Sequence, residues 1–144
     1  MSDIERISSA DASARLSDGW TYVDVRTVEE FEAGHPAGSQ NVPWQLRNGN
    51  NPAFIRAMKA AFADDAKIIL GCKGGVRSLK AAQALVAAGF TNVVDQRAGW
   101  DGARSPFGQV LEKGWLQLAL PREDGAPAGR SWIDLRSKAA QAAE

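Results

Sequence analysis

The chain has 144 residues, 44% apolar and 24% charged, a length and balance that fit one soluble globular domain, and a second catalytic domain is not expected. Its 17 basic and 17 acidic side chains cancel, so charge gives no reason to expect nucleic acid or an anionic membrane as a partner. A single cysteine excludes an internal disulfide framework, and one cysteine with one histidine falls short of a usual zinc site, so neither a metal nor another cofactor is expected.

A thiol that must stay free to react suits a reducing compartment. The opening stretch MSDIERISSADASARL has acidic residues and no apolar core segment, unlike a secretory signal, and no run is long enough to span a bilayer. The expected location is therefore the cytoplasm.

In chain order, residues 9–16 read as a short helix closed by Gly19, and TYVDV at 21–25 reads as a buried strand. Thr27 with Glu30 three residues on is a capping-box pattern for a helix that ends at Gly34. Asn51 followed by Pro52 predicts an N-cap and first turn for a helix through Phe54, Ile55, Met58 and Phe62. KIIL at 67–70 is the next strand, 78–88 an alanine-rich helix stopped by Gly89, and TNVV at 91–94 a further strand. This alternation predicts an α/β fold, a parallel sheet with helices on both faces. Residues 99–114 hold too many breakers for a regular element and too many aromatics for a plain linker, so an ordered loop is expected. Residues 122–130 resemble a flexible linker, and 132–143 a short helix whose Trp132, Ile133 and Leu135 would dock on the body or on a partner.

The segment IILGCKGGVRS carries the chemistry, because it sets Cys72 directly after a strand and before a helix, with Gly74 and Gly75 in the connection. In open α/β sheets the carboxyl ends of strands host ligands, and a glycine-bearing turn into a helix aims several backbone N–H groups at one point. The thiolate is the nucleophilic form of cysteine and needs stabilising at neutral pH. A helix N-terminus supplies about 0.3–1 kcal/mol and each hydrogen bond to a charged group about 1.5–3 kcal/mol. Lys73 and Arg77 add positive charge nearby. The competing reading makes Cys72 a small buried side chain that ends a strand; the glycines and cations around it favour a functional thiol.

Three stretches resemble the rhodanese family: DVRTVEEFEAGH at 24–35, GSQNVP at 38–43, and a CxxGxRS loop formed by Cys72, Gly75, Arg77 and Ser78. The closing Gly114, Trp115, Leu120 and Pro121 are similar to the family's last core segment. The resemblance implies a five-stranded parallel sheet flanked by helices over 1–121, with 122–144 as linker and C-terminal helix. It also implies a sulfurtransferase of the thiosulfate type, in which Cys72 takes a sulfane sulfur from thiosulfate or a persulfide, holds it as a persulfide, and passes it to cyanide, a small thiol or a protein thiol. The alternative is a persulfide relay or regulatory module for a protein partner.

By the same resemblance, the amides of Lys73, Gly74, Gly75, Val76 and Arg77 surround the persulfide. The Lys73 and Arg77 side chains either attract an anionic donor or, for Arg77, brace the loop from behind. Asp24 and Arg26 are expected to support the loop or its rim. Phosphatases and arsenate reductases of related design place Arg six positions after the cysteine; here Arg77 is five after Cys72, which suits a sulfur atom better than a phosphate. His35, a tempting general base, falls at a structural corner of the family. The 99–114 segment is longer than the usual turn. As a lid, it would put Arg97, Trp100, Arg104 and Phe107 on one pocket wall, with Trp44 and Arg47 on another; the alternative is that its aromatics only pack the loop onto the core.

Overall fold

The computed structural model describes residues 3–142. Five strands make the main sheet: β1 (Glu5–Ile7), β2 (Thr21–Asp24), β3 (Gln40–Asn41), β4 (Ile68–Gly71) and β5 (Val93–Gln96). Across the sheet they run β1-β5-β4-β2-β3, and every pairing is parallel. The helices are α1 (Ser9–Arg15), α2 (Val28–Ala33), α3 (Phe54–Ala61), α4 (Val76–Ala87) and α5 (Trp132–Ala142).

Side chains alternate across a strand, so each sheet face collects its own core. On one face Val23, Ile68, Leu70 and Val93 pack with Phe54 and Met58 of α3, Ala81 and Leu85 of α4, and Trp132, Leu135 and Ala139 of α5. On the other, Ile7, Tyr22, Ile69 and Val94 meet Ala12 of α1 and Trp115, whose ring lies edge-on to Tyr22 at 5.4 Å. Both faces of β4 are covered, which is why its residues are all buried and why KIIL reads as a continuous apolar run. The capping box at Thr27 and Glu30 forms as expected and starts α2.

Several boundaries differ from expectation for local physical reasons. β1 and β3 carry no apolar run: β1 exposes Glu5 and Arg6 at the sheet edge, and β3 is two polar residues. Asn51 closes a turn, accepting from the Ala53 amide at 3.0 Å and donating to the Pro43 carbonyl at 2.9 Å, so α3 begins only at Phe54. β5 sits two residues later than TNVV suggests. α4 begins at Val76 instead of residue 78, because Gly75 takes a left-handed φ of +95° and serves as its N-cap.

Two corrections are larger. The 99–114 segment contains a hairpin, Ala103–Arg104 paired antiparallel with Val110–Glu112. The 122–130 segment is held to the body throughout, unlike a flexible linker. Arg122–Glu123 pairs antiparallel with His35–Pro36, the Gly125 amide donates to Glu32, and the Asn41 amide donates to the Arg130 carbonyl at 2.9 Å. In α5, Trp132 and Leu135 are buried as expected, whereas Ile133 is exposed; the predicted last residue of this helix, 143, lies outside the described residues.

Candidate active site

Cys72 follows the last residue of β4, the central strand, and its loop is three residues long before α4 begins. The loop is stitched to the segment that follows β5: the Trp100 amide donates to the Cys72 carbonyl at 2.8 Å and the Asp101 amide to the Lys73 carbonyl at 3.0 Å. Gly99 makes that approach possible, since a Cβ there would lie 2.6 Å from the Cys72 carbonyl oxygen. Gly75 is equally constrained, by its left-handed φ and by the Arg97 carbonyl oxygen 2.2 Å from where a Cβ would stand. Arg6 of β1 fixes the far side of the loop, donating to the Gly75 carbonyl at 2.9 Å and to the buried Asp95 carboxylate at 2.7 Å.

With its surroundings so fixed, Cys72 is 2% exposed and its sulfur faces few partners. The Gly75 amide donates to Sγ at 3.1 Å, and Sγ–H donates to the Ser78 hydroxyl at 3.4 Å. The expected ring of five loop amides is thus, around Sγ itself, one amide and one hydroxyl. Beside it, a pocket of about 300 Å³ is lined by Cys72, Lys73, Gly74, Val76, Arg77, Asp101, Gly102 and Arg104. Cys72, itself nearly buried, lines that pocket, and Val76 and Arg77 occupy the first turn of α4, where backbone N–H groups have no partner within the helix.

The cations of the pocket are not equivalent. Arg77 grips Glu30 of α2 with both guanidinium nitrogens, at 2.7 and 3.1 Å, so it braces the loop from α2 while lining the pocket. Burial would raise the Glu30 carboxyl, but hydrogen bonds from Arg77 and from Thr27 outweigh it and hold the group at about 2. Arg104, on the first strand of the hairpin, donates to Asp101 at 3.2 Å and to the Gly108 carbonyl at 2.8 Å. Lys73 is exposed and, among the described residues, has no ion-pair partner.

Asp24 and Arg26 form a buried pair at 2.7 Å; Arg26 also donates to the Gly34 carbonyl, tying the end of β2 to the end of α2. Trp100 carries the guanidinium groups of Arg26 and Arg122 on its ring, at 5.0 and 5.2 Å. It lines an adjoining recess of about 300 Å³ with Arg26, Glu30, Gly34, Lys73 and Asp101, two of which also line the Cys72 pocket.

The remaining wall candidates lie elsewhere. Trp44 packs edge-on against Phe54 at 5.1 Å and belongs to the core, and Arg47 sits in the exposed turn between Gln45–Leu46 and Gly49–Asn50. Neither lines the Cys72 pocket. Arg97 clamps Glu112 at 2.7 and 2.8 Å and lines a separate groove behind the loop, and Phe107, 93% exposed, projects from the hairpin turn. His35 is fully buried, stacked on Phe31 at 3.6 Å, its Nδ1 donating to the Phe31 carbonyl at 2.6 Å and its Nε2 facing Glu123 at 3.2 Å. It is a structural corner, as the resemblance implies.

Four residues complete the site without having been singled out in the sequence for these roles: Arg6, Glu30, Ser78 and Asp101. Glu30 and Ser78 sit inside recognisable motifs, so a charge partner for Arg77 was findable in principle; Arg6 and Asp101 enter only through sheet order and loop folding. Together the geometry offers a nearly buried cysteine lining a pocket that holds Lys73, Arg77 and Arg104.

The family model for the rhodanese-like domain matches residues 8–105. The curated relatives include the thiosulfate sulfurtransferase GlpE of Pseudomonas fluorescens, 33% identical over 114 residues that cover 79% of this chain and 97% of that protein. They also include thiosulfate sulfurtransferase 16, chloroplastic, of Arabidopsis thaliana, 43% identical over 89 residues, 59% of this chain and 74% of the relative. The senescence-associated protein DIN1 of Raphanus sativus is 43% identical over 86 residues, so the matched part spans only 47% of that longer protein and 57% of this chain. Among solved structures, Rv0390 from M. tuberculosis superposes with a TM-score of 0.73 at 27% identity, covering 86% of this chain and all of that one. With two thirds of its length matched by the family model and a five-stranded parallel sheet that ends in the cysteine loop, this chain belongs to the rhodanese-like domain family.

Proposed function

We propose that the protein is a sulfurtransferase in which Cys72 carries a sulfane sulfur as a persulfide. The observation that carries this reading is a Cys72 whose Sγ accepts from the Gly75 amide and which lines one pocket with Lys73, Arg77 and Arg104. In the first half-reaction the Cys72 thiolate attacks the outer sulfur of a donor such as thiosulfate. A new S–S bond forms on Sγ, the donor's S–S bond breaks, and sulfite leaves with the electron pair. In the second, cyanide or a thiolate attacks the terminal sulfur, takes it, and returns the thiolate of Cys72. Covalent storage splits one difficult transfer into two easier ones and predicts ping-pong kinetics.

The chain's own groups divide this work. Gly75 N–H and the α4 N-terminus stabilise negative charge on sulfur, Lys73 and Arg104 gather the anionic donor while Arg77 braces the loop through Glu30, and the pocket's size favours a small donor over a bulky one. A thiol that cycles through a persulfide fits a reducing compartment, cytoplasmic by default. The names of the thiosulfate sulfurtransferase relatives support the reaction class. Steady-state thiocyanate production from thiosulfate and cyanide tests the reading. Parallel double-reciprocal lines are expected for the native chain and no turnover above background for Cys72→Ser. Turnover by the serine variant at the native rate contradicts the carrier role.

A further inference from the structure

We propose that Arg104 is a specificity-determining residue, recognising the anionic group of the donor that lies beyond the sulfur being transferred, so that the site favours a doubly charged donor such as thiosulfate over a singly charged thiosulfonate. This rests on the reading of Cys72 as sulfur carrier.

Arg104 is held in place from several sides. The hairpin that bears it grows from the two amides, Trp100 and Asp101, that bond the carbonyls of Cys72 and Lys73, so its base is registered against the cysteine itself. Asp101 is fixed in turn, its carboxylate taking Arg104 at 3.2 Å and Gln117 at 3.2 Å, while the Gln117 amide oxygen accepts from the Gly114 N–H at 2.8 Å. The other strand of the hairpin is anchored by the clamp of Arg97 on Glu112. The Ser105 amide donates to the Gln109 carbonyl and the Gly108 amide to the Ser105 carbonyl, which close the turn. A guanidinium so placed lines the same pocket as Cys72 and is tethered there by its hydrogen bonds to Asp101 and Gly108.

Charge then separates Arg104 from its neighbours. Arg77 is committed to Glu30 through two hydrogen bonds, and Lys73 is a flexible point charge at the rim. Arg104 spends two of the five N–H donors of a guanidinium on Asp101 and Gly108, and a planar fork with donors to spare suits a multi-oxygen anion. In transfer from thiosulfate the leaving group is sulfite, whose oxygens lie beyond the transferred sulfur as seen from Sγ, within the pocket that Arg104 lines. The family match ends at residue 105, before the second strand of the hairpin, so the rest of this clasp lies outside the matched domain.

The test compares two donors that deliver the same sulfur. Thiosulfate leaves as sulfite, a dianion; methanethiosulfonate, a monoanion, leaves as methanesulfinate. Initial rates of persulfide formation on the full chain are followed by intact mass over a range of each donor. Arg104→Gln is expected to raise the half-saturating thiosulfate concentration about tenfold or more, the loss expected for a charge-assisted contact, and that of methanethiosulfonate less than about threefold. Arg104→Lys should fall between, and Phe107→Ser, a change at the exposed turn, should alter neither donor. Equal change for both donors, or no change for either, overturns the assignment of Arg104. Failure of the native chain to gain sulfur from either donor overturns the carrier reading and this inference with it, a result distinguishable from the first because it appears before any variant is made.

Discussion

Gly75 shows how much of the site depends on single residues. Its amide points at Sγ, its carbonyl is held by Arg6, and its left-handed φ starts α4. An added Cβ would meet both conformational strain and the Arg97 carbonyl. Gly75→Ala is expected to lower unfolding free energy by about 2 kcal/mol or more and to abolish sulfur loading, measured by denaturant unfolding and intact mass. A variant with native stability and loading contradicts this account of the loop. At this scale the sequence was informative where chemistry and local geometry coincide: Cys72, Gly75, Arg77 and Ser78 are four of eleven consecutive letters in IILGCKGGVRS. It was silent where partners come from afar, as with Arg6, which is 69 residues from Gly75. Trp44 and Arg97 were misplaced because an aromatic or a cation just past the carboxyl end of a strand has many directions to point; Trp44 turned to Phe54 and Arg97 to Glu112.

Between elements, the tie that matters most is Arg77 to Glu30, joining the first turn of α4 to α2. Its pH dependence has a definite sign. The Glu30 carboxyl titrates at about 2 when folded against an ordinary value of 4.5, so the folded state favours the ionised form. The stability it confers is fully present above about pH 4.5 and is lost as pH falls toward about 2. With solvent screening of this half-buried pair, the loss is about 1–2 kcal/mol. Unfolding free energies measured across that window should fall for the native chain and fall less for Glu30→Gln; identical slopes contradict the pairing. The capping box that begins α2 was readable from Thr27 and Glu30, but the second duty of Glu30 was not, because it depends on which helix the sheet order sets beside α2. Strand boundaries show the same division: the apolar run in β4 announces itself, whereas β1 and β3 are strands only because a neighbour offers them hydrogen bonds.

Across the whole molecule, the C-terminal segment is part of the fold. Trp132, Leu135 and Ala139 close the core over Phe54 and Met58, and Glu123, bonded by Arg130, the Gly38 amide and His35, holds the approach to α5. Trp132→Ala is expected to destabilise the chain by about 3–5 kcal/mol in denaturant unfolding, a large share of the total stability of a domain this size. A loss below about 1 kcal/mol contradicts the packing of α5 as a structural layer. The composition of 122–130, rich in glycine and charge, reads as linker because backbone pairing to His35–Pro36 leaves no mark on side-chain pattern.

All of these ties converge on one sulfur atom. The most direct test is the mass of the intact chain after exposure to thiosulfate, followed by peptide mapping. The account predicts a gain of a single sulfur, located on Cys72 and removed by cyanide. An unchanged mass, or added sulfur that survives cyanide, contradicts it.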